Sequence, residues 1–251
     1  MYRYAGLVDM GVYEDHNDDR AMLDGKVLGE GALDGSTDSN SFHAAVFDGV
    51  GGALQGARAA QLAAEGMAAL DADSAGAQDI KDMIEQVNTA LIDIQKEENI
   101  QGELLTTAAG ICAQGEELMV YNAGDSRVYR QRGRFIRQLS KDHSHVQMLV
   151  DMGKITPEEA KGHPQRNVII KCLGYDPRVN PRVVEFDDLL AGDLIMICSD
   201  GISDVLDDKE IAEILSQHGD LAEGCTALRD AAAAKGSLDN MTVLLVRKEG
   251  A

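Results

Sequence analysis

The chain has 251 residues, enough for one sizeable core or two small ones. Hydrophobic residues make up 44% and charged residues 26%, as in an ordinary folded globular protein, but only 4% are aromatic and there is no Trp, so Ala, Val, Leu, Ile and Met must build the core. With 43 acidic residues against 23 basic ones the formal charge is -20, which argues against a nucleic-acid binder and against binding to anionic membranes.

The opening residues, MYRYAGLVDMG, lack the apolar centre of a signal peptide. Next comes YEDHNDDR, Tyr13 to Arg20, where Glu14, Asp15, Asp18 and Asp19 crowd four carboxylates into a short run. Such charge must be separated by solvent or by a cation. FHAAVFDGVGG is an apolar run ending in glycines, which predicts a buried strand and a turn. ALQGARAAQLAAEGMAALDA predicts a helix. DIKDMIEQVNTALIDIQKEEN predicts another, with Ile80, Met83, Ile84, Val87, Leu91 and Ile94 at helical spacing.

TTAAGICAQ, ELMVYNAG, SRVYRQRG and RFIRQLS are short strands punctuated by Gly, and predict an antiparallel meander. HSHVQMLVDMG and TPEEAKG predict short helices, the second with Thr156 as N-cap and Pro157 at its first position. DLIMICSDGISD is an apolar strand running into a polar turn. DDKEIAEILSQHG and DLAEGCTALRDAAAAKG are helices, and DNMTVLLVRKEG is a closing strand. No repeat or linker divides the chain, so residues 1–251 are expected to form one domain. Two early helices, a run of strands and two late helices predict an α+β layered sandwich.

The longest apolar runs, such as LIMIC, are too short to cross a bilayer. Cys112, Cys172, Cys198 and Cys225 are scattered without a C-x-x-C pair, which disfavours structural zinc and suggests a reducing, cytoplasmic setting.

One design recurs: an apolar strand, then Asp, then Gly. It appears in VFDGVGG (Asp48, Gly49) and CSDGISD (Asp200, Gly201). NDDR (Asp19), NAGDSRVY (Asp125) and DNMTV (Asp239, Asn240) add acids beside strands. Each alone is an ordinary turn. Gathered from distant loops, they would make an all-oxygen site of the kind that Mg²⁺ and Mn²⁺ prefer. No EF-hand loop is present, which disfavours a general Ca²⁺ module.

Together and in this order, these motifs resemble those of the PP2C (PPM) metal-dependent serine/threonine protein phosphatases, in their compact bacterial form. The resemblance runs from about Gly6 to Arg247, and residues of about 140–175 resemble the family's mobile flap region and the segment after the flap. It implies a four-layer αββα sandwich, two central antiparallel sheets flanked by helix pairs. It implies that Asp48 bridges two Mn²⁺ or Mg²⁺ ions, that the Gly49 carbonyl binds one, and that Asp200 and Asp239 complete the second. Asp19 would join the cluster directly or through water, and Asp125 would hold a third, weaker metal shared with Asp200. A water or hydroxide activated between the two cations would then hydrolyse phosphoserine and phosphothreonine in proteins, with no phospho-enzyme. The partners implied are phosphorylated proteins, Ser/Thr kinases and their substrates among them.

Two positions depart from the family pattern. Glu14 stands where the family often has a phosphate-binding Arg; Arg20 is a nearby candidate for that contact, and substrate held by metals alone is the alternative. Val50 stands where some relatives place a His proposed as general acid, which leaves a metal-bound water, His143 or His145 for that role. His16 is a conceivable but unneeded metal ligand. Because of Glu14, a catalytically weak phosphatase-like binding or regulatory domain is the alternative to an active enzyme.

Overall fold

The computed structural model describes residues 1–50 and 54–250. Gly51, Gly52 and Ala53, where the sequence predicts the end of a turn and the start of a helix, lie outside the described residues, as does Ala251. The chain begins with β1 (Tyr2–Asp9), β2 (Arg20–Leu23), β3 (Lys26–Leu28), β4 (Gly31–Thr37) and β5 (Ser41–Phe47). A two-residue strand, β6 (Gly49–Val50), precedes α1 (Leu54–Met67) and α2 (Ala77–Glu98). Then come β7 (Leu105–Thr106), β8 (Ala108–Gln114), β9 (Glu117–Ala123), β10 (Arg127–Arg132) and β11 (Phe135–Gln138). After α3 (His145–Asp151) and α4 (Pro157–Lys161), the chain finishes with β12 (Arg182–Phe186), β13 (Leu194–Cys198), α5 (Asp200–Ser203), α6 (Asp208–Gln217), α7 (Leu221–Ala234) and β14 (Met241–Lys248).

The longer strands form two six-stranded antiparallel sheets, in the orders β11-β10-β13-β14-β1-β4 and β12-β9-β8-β5-β2-β3. Period-2 alternation sends side chains of one strand into different layers. In β14, Leu244 and Val246 enter the core between the sheets, where Phe42, Val46 and Ile111 meet them from the second sheet. Met241, Val243 and Leu245 face the other way, into a core with α6 and α7 residues such as Ile211, Leu215 and Leu228. On the far side, Ala45 and Phe47 of β5 pack against Ala60, Ala64, Ile80 and Ile84 of α1 and α2. Each fully buried Leu or Phe of this kind contributes about 1.5–3 kcal/mol. The order helix, sheet, sheet, helix is the predicted four-layer sandwich.

The α2 face matches expectation: Ile80, Ile84, Val87 and Leu91 are buried. Thr156 caps α4 as expected, its hydroxyl accepting from the Glu159 N–H at 3.2 Å while its own N–H donates to the Glu159 carboxylate at 2.7 Å. Three expectations need correction. Strands β1 to β4 are absent from the predicted elements: β1 sends Tyr2, Tyr4 and Val8 into one core and Ala5 and Leu7 towards another, which blurs its apolar alternation, and β4 is polar and half exposed. The meander is two hairpins in different sheets, β8–β9 in the second and β10–β11 in the first, so the NAGDSRVY turn crosses between sheets. Alternation identifies a strand but not its sheet. Finally, the polar turn after β13 is the short helix α5, which starts at Asp200.

Candidate metal centre

Five chain segments bring their acids to one end of the sandwich. Asp19 immediately precedes β2, Asp48 follows β5, Asp125 lies in the crossing between β9 and β10, Asp200 opens α5, and Asp239 precedes β14. Their mutual influence reports their nearness. Burial pushes the Asp48 carboxyl well above the usual range, and Asp200, Asp19, Asp125 and Asp239 push it the same way. Asp200 is likewise raised, first by burial and then by Asp125, Asp239, Asp204 and Asp19. Both are half-buried, and burial and like charge act in one direction. Asp19, 1% exposed, is pushed up to about 7, mainly by burial and against the help of Ser199 and Thr242. Asp125, 7% exposed, is pushed up to about 7 by burial and then Asp142.

Asp19 and Asp48 are held by neighbours distant in sequence. The Ser199 hydroxyl donates to Asp19 Oδ2 at 2.7 Å and accepts from the Thr242 N–H at 3.0 Å, which ties β2 to β13 and β14. The Asp48 N–H donates to Thr107 Oγ1 at 3.1 Å, and the Asp48 carbonyl accepts from the Thr107 N–H at 2.8 Å and from Thr106 Oγ1 at 3.0 Å. Thr107 Oγ1 in turn pairs with Ser126 Oγ at 2.7 Å, beside Asp125. Gly49 must lack a side chain, since a Cβ would lie 2.4 Å from the backbone of Gly56 in α1. Gly201 is constrained equally: a Cβ would lie 2.0 Å from the Asn240 carbonyl, so its absence lets α5 settle against the chain entering β14 and sets Asp200 near Asp239.

Asn240 is a positioning residue to which the sequence alone assigns no role. Its Oδ1 accepts from the Asp18 N–H at 2.8 Å, and its Nδ2 donates to the Met10 carbonyl at 2.8 Å and the His16 carbonyl at 3.1 Å. One side chain thus clamps the acidic loop. Its place in "DN" beside Asp239, and that of Ser199 in "SD" beside Asp200, are the available signals. Asp18 turns inward to accept from the Ala57 N–H in the first turn of α1 at 2.9 Å, with His16 3.4 Å from its other oxygen. That contact occupies His16 within the loop.

Arg20 does not face the acids. Its Nη1 donates to the Asn17 carbonyl at 2.8 Å and the Asp19 carbonyl at 2.6 Å, and its Nε donates to Gln61 Oε1 in α1 at 2.8 Å. Alternation explains this, because Asp19 points to Ser199 and the next side chain points the opposite way. Glu14 is exposed. His143 Nδ1 accepts from the Gly124 N–H at 3.2 Å, the His143 N–H donates to the Gly124 carbonyl at 2.8 Å, and burial pulls its imidazole down to about 4. It is a neutral anchor between the flap-like region and the Asp125 turn. His145 lies in α3 beside His163, with ring centroids 6.4 Å apart.

The donor set suits a hard cation. Asp125 Oδ1 is buried and has no hydrogen-bond partner among the described residues. Among the described residues no three His, Cys, Asp or Glu side chains are spaced to hold one ion directly. Mg²⁺-like ions keep several waters and take one or two carboxylates each, so a donor set that does not close on one ion directly is compatible with them. Five carboxylates at one cleft repel one another unless protons or cations neutralise them.

Among the described residues no helix is long and apolar enough to cross a membrane. The protein phosphatase 2C family model matches residues 32–241. The serine/threonine protein phosphatase PstP of Mycobacterium tuberculosis is 34% identical over 252 residues, covering 97% of this chain and 44% of that protein, so the chain spans less than half of this relative's length. The serine/threonine phosphatase stp of Listeria monocytogenes is 33% identical over 173 residues, 68% of this chain and 67% of that protein. The crystal structure of M. tuberculosis PstP superposes with a TM-score of 0.86 at 34% identity, covering 99% of both chains. The PstP catalytic domain in complex with two manganese ions superposes at 0.79 with 30% identity, covering 99% of each. A sandwich of this layering, with acids from five segments at one end and a family model matched over most of its length, places the chain in the protein phosphatase 2C family.

Proposed function

We infer that the protein is a Mn²⁺- or Mg²⁺-dependent phosphatase acting on phosphoserine and phosphothreonine in proteins. The observation that carries this reading is the convergence of Asp19, Asp48, Asp125, Asp200 and Asp239 from separate segments, with Asp125 Oδ1 left unpartnered among the described residues. Asp48, the Gly49 carbonyl, Asp200 and Asp239 would hold two cations, with Asp19 beside them. Asp125 and Asp200 would share a third, weaker one. When bound, these cations supply Lewis acidity, making water nucleophilic at neutral pH and neutralising phosphoryl charge. The protein's own part is placement. Ser199 aims the Asp19 carboxylate, Thr106 and Thr107 fix the Asp48 backbone, and Asn240 pins the acidic loop. The substrates that fit are phosphorylated proteins, Ser/Thr kinases and their targets among them.

The test is hydrolysis of a phosphothreonine peptide with and without Mn²⁺, by wild type, Asp48→Asn and Asp239→Asn. Turnover that requires Mn²⁺ and is lost in both variants is expected. Turnover indifferent to metal and to both substitutions would overturn the reading.

A further inference from the structure

A single exposed apolar side chain needs no explanation, but several gathered beside an acidic cleft do. In the loop between β1 and β2, Val12 is 78% exposed and Tyr13 67%. Leu238, on the chain entering β14, is 66% exposed and directly precedes Asp239. The loop leaves β1 against that same acid, since a Cβ on Gly11 would lie 2.7 Å from the Asp239 carbonyl.

The base of the loop is fixed. Gly11 takes a φ of +81°, its N–H donates to Asp9 Oδ1 at 2.9 Å, and Asp9 pairs with Arg229 of α7. Asn240 Nδ2 donates to the carbonyls of both Met10 and His16, so the two ends of the excursion meet on one amide. The excursion starts beside Asp239 and ends at Asp18 and Asp19, which anchors it at the rim of the cleft. It carries Val12 and Tyr13 next to two exposed carboxylates, Glu14 and Asp15, and neither enters an ion pair among the described residues.

Charge and place bound what covers this surface. Free carboxylates repel a phosphate dianion and attract a cation. A net charge of -20 works against a second copy of the chain settling on an acidic loop. The surface is continuous with the cleft that receives phosphorylated polypeptides, and a polypeptide that delivers its phosphoryl group there lays the neighbouring residues across the rim.

We propose that Val12, Tyr13 and Leu238 form a docking lip for the substrate polypeptide, and that Glu14 and Asp15 select phosphosites flanked by a Lys or Arg and a bulky apolar residue. The proposal rests on the phosphatase reading. Tyr offers a large contact area at low entropic cost, and an exposed ion pair adds selectivity more than affinity.

The test compares Mn²⁺-dependent kcat/KM for p-nitrophenyl phosphate, which has no flanking residues, with that for three phosphothreonine peptides. One carries Leu and Arg beside the phosphothreonine, one has Ser in place of the Leu, and one has Glu in place of the Arg. Wild type should prefer the first peptide to the second by about five- to thirtyfold. It should prefer the first to the third by about two- to fivefold at low salt, and by less in about 0.5 M NaCl. The Leu preference should collapse in Leu238→Ser and in the double variant Val12→Ser with Tyr13→Ser, whose thermal midpoints should stay near wild type because these side chains are exposed. Glu14→Lys should reverse the charge preference and keep the Leu preference. A wild type indifferent to both peptide changes would overturn the proposal, as would lip variants that keep the Leu preference. So would a loss in the lip variants that is equal for p-nitrophenyl phosphate and every peptide, since the loop would then act on the metal centre. Self-association of wild type in sedimentation, abolished in the double variant with the peptide preferences unchanged, would assign the lip to a second copy and overturn it too. A wild type that hydrolyses neither p-nitrophenyl phosphate nor any peptide with Mn²⁺ would instead refute the phosphatase reading and take this proposal with it.

Discussion

Strand β5 carries one ionisable residue near its start and leads directly into another, and the fold treats them in opposite ways. His43 is 3% exposed, with its Nε2 2.8 Å from the Tyr121 hydroxyl of β9, and burial pulls it down to about 4. It is neutral and paired, and asks nothing of a ligand. Asp48, just past the end of the strand, stands among four other acids that all oppose its charge. Nearby Asp125 Oδ1 has no partner among the described residues. A buried polar group whose partner is built in stabilises the fold, whereas a cluster of like charges without one stabilises only what comes to neutralise it. The contrast separates a structural ionisable pair from a binding site within one sheet.

The largest effect should come from breaking the acidic side. Asp48→Asn is expected to lower Mn²⁺-dependent phosphopeptide turnover by about a hundredfold or more. It should also raise the thermal midpoint of the metal-free protein, by about 2–4 °C for each kcal/mol of repulsion removed. A stabilised but inactive variant is a signature that a structural carboxylate would not give. Differential scanning calorimetry beside the kinetic assay reads both.

Titrating the His43 side should be nearly as costly. Its folded value of about 4 lies below the ordinary 6.5. Between those values the unfolded chain binds the extra proton, so this contribution is full above pH 6.5 and is lost as pH falls toward 4. The loss is on the order of 3 kcal/mol. Urea unfolding of wild type and His43→Gln across about pH 4–7 should show that slope in the wild type and a shallower one in the variant.

Ser199→Ala removes the donor to Asp19 Oδ2 without touching a proposed ligand, and should weaken Mn²⁺ binding by about ten- to a hundredfold. Calorimetry with Mn²⁺ checks it. Smallest is Tyr121→Phe, which leaves His43 Nε2 buried without its partner and should cost about 1–3 kcal/mol in urea unfolding while leaving Mn²⁺ affinity unchanged.

The acids themselves were legible because each sits in a short strand–Asp motif: Asp48 and Asp200 before glycines, Asp125 after Gly124, Asp239 before Asn240. What holds them was not. Ser199 serves Asp19 across 180 residues, and no local pattern announces that pairing. Arg20 looked available because it is adjacent to Asp19, but a strand turns neighbouring side chains to opposite faces, and here that meant Gln61. The layers could be read from the helical faces and apolar runs. The N-terminal strands could not: β1 sends apolar residues towards two cores, and β4 is polar enough to read as loop. Sheet membership was illegible for a related reason, since the chain changes sheets at Asp125 within a turn that looks like any hairpin.

The central claim, that these acids are kept at one cleft to be neutralised by cations, has a direct test. Asp19 and Asp125, pushed up to about 7, hold protons in the folded metal-free protein that the unfolded chain releases near pH 4. Metal-free stability from these groups therefore falls as pH rises through 7, and a bound cation must displace their protons. Calorimetric titration with Mn²⁺ at about pH 6.5, in two buffers of different ionisation enthalpy, measures the protons released on binding. The account predicts net proton release, together with a Mn²⁺-induced rise in thermal midpoint that is larger at about pH 8 than at about pH 5.5. Binding without proton release, or a thermal midpoint indifferent to Mn²⁺ at both pH values, would contradict it.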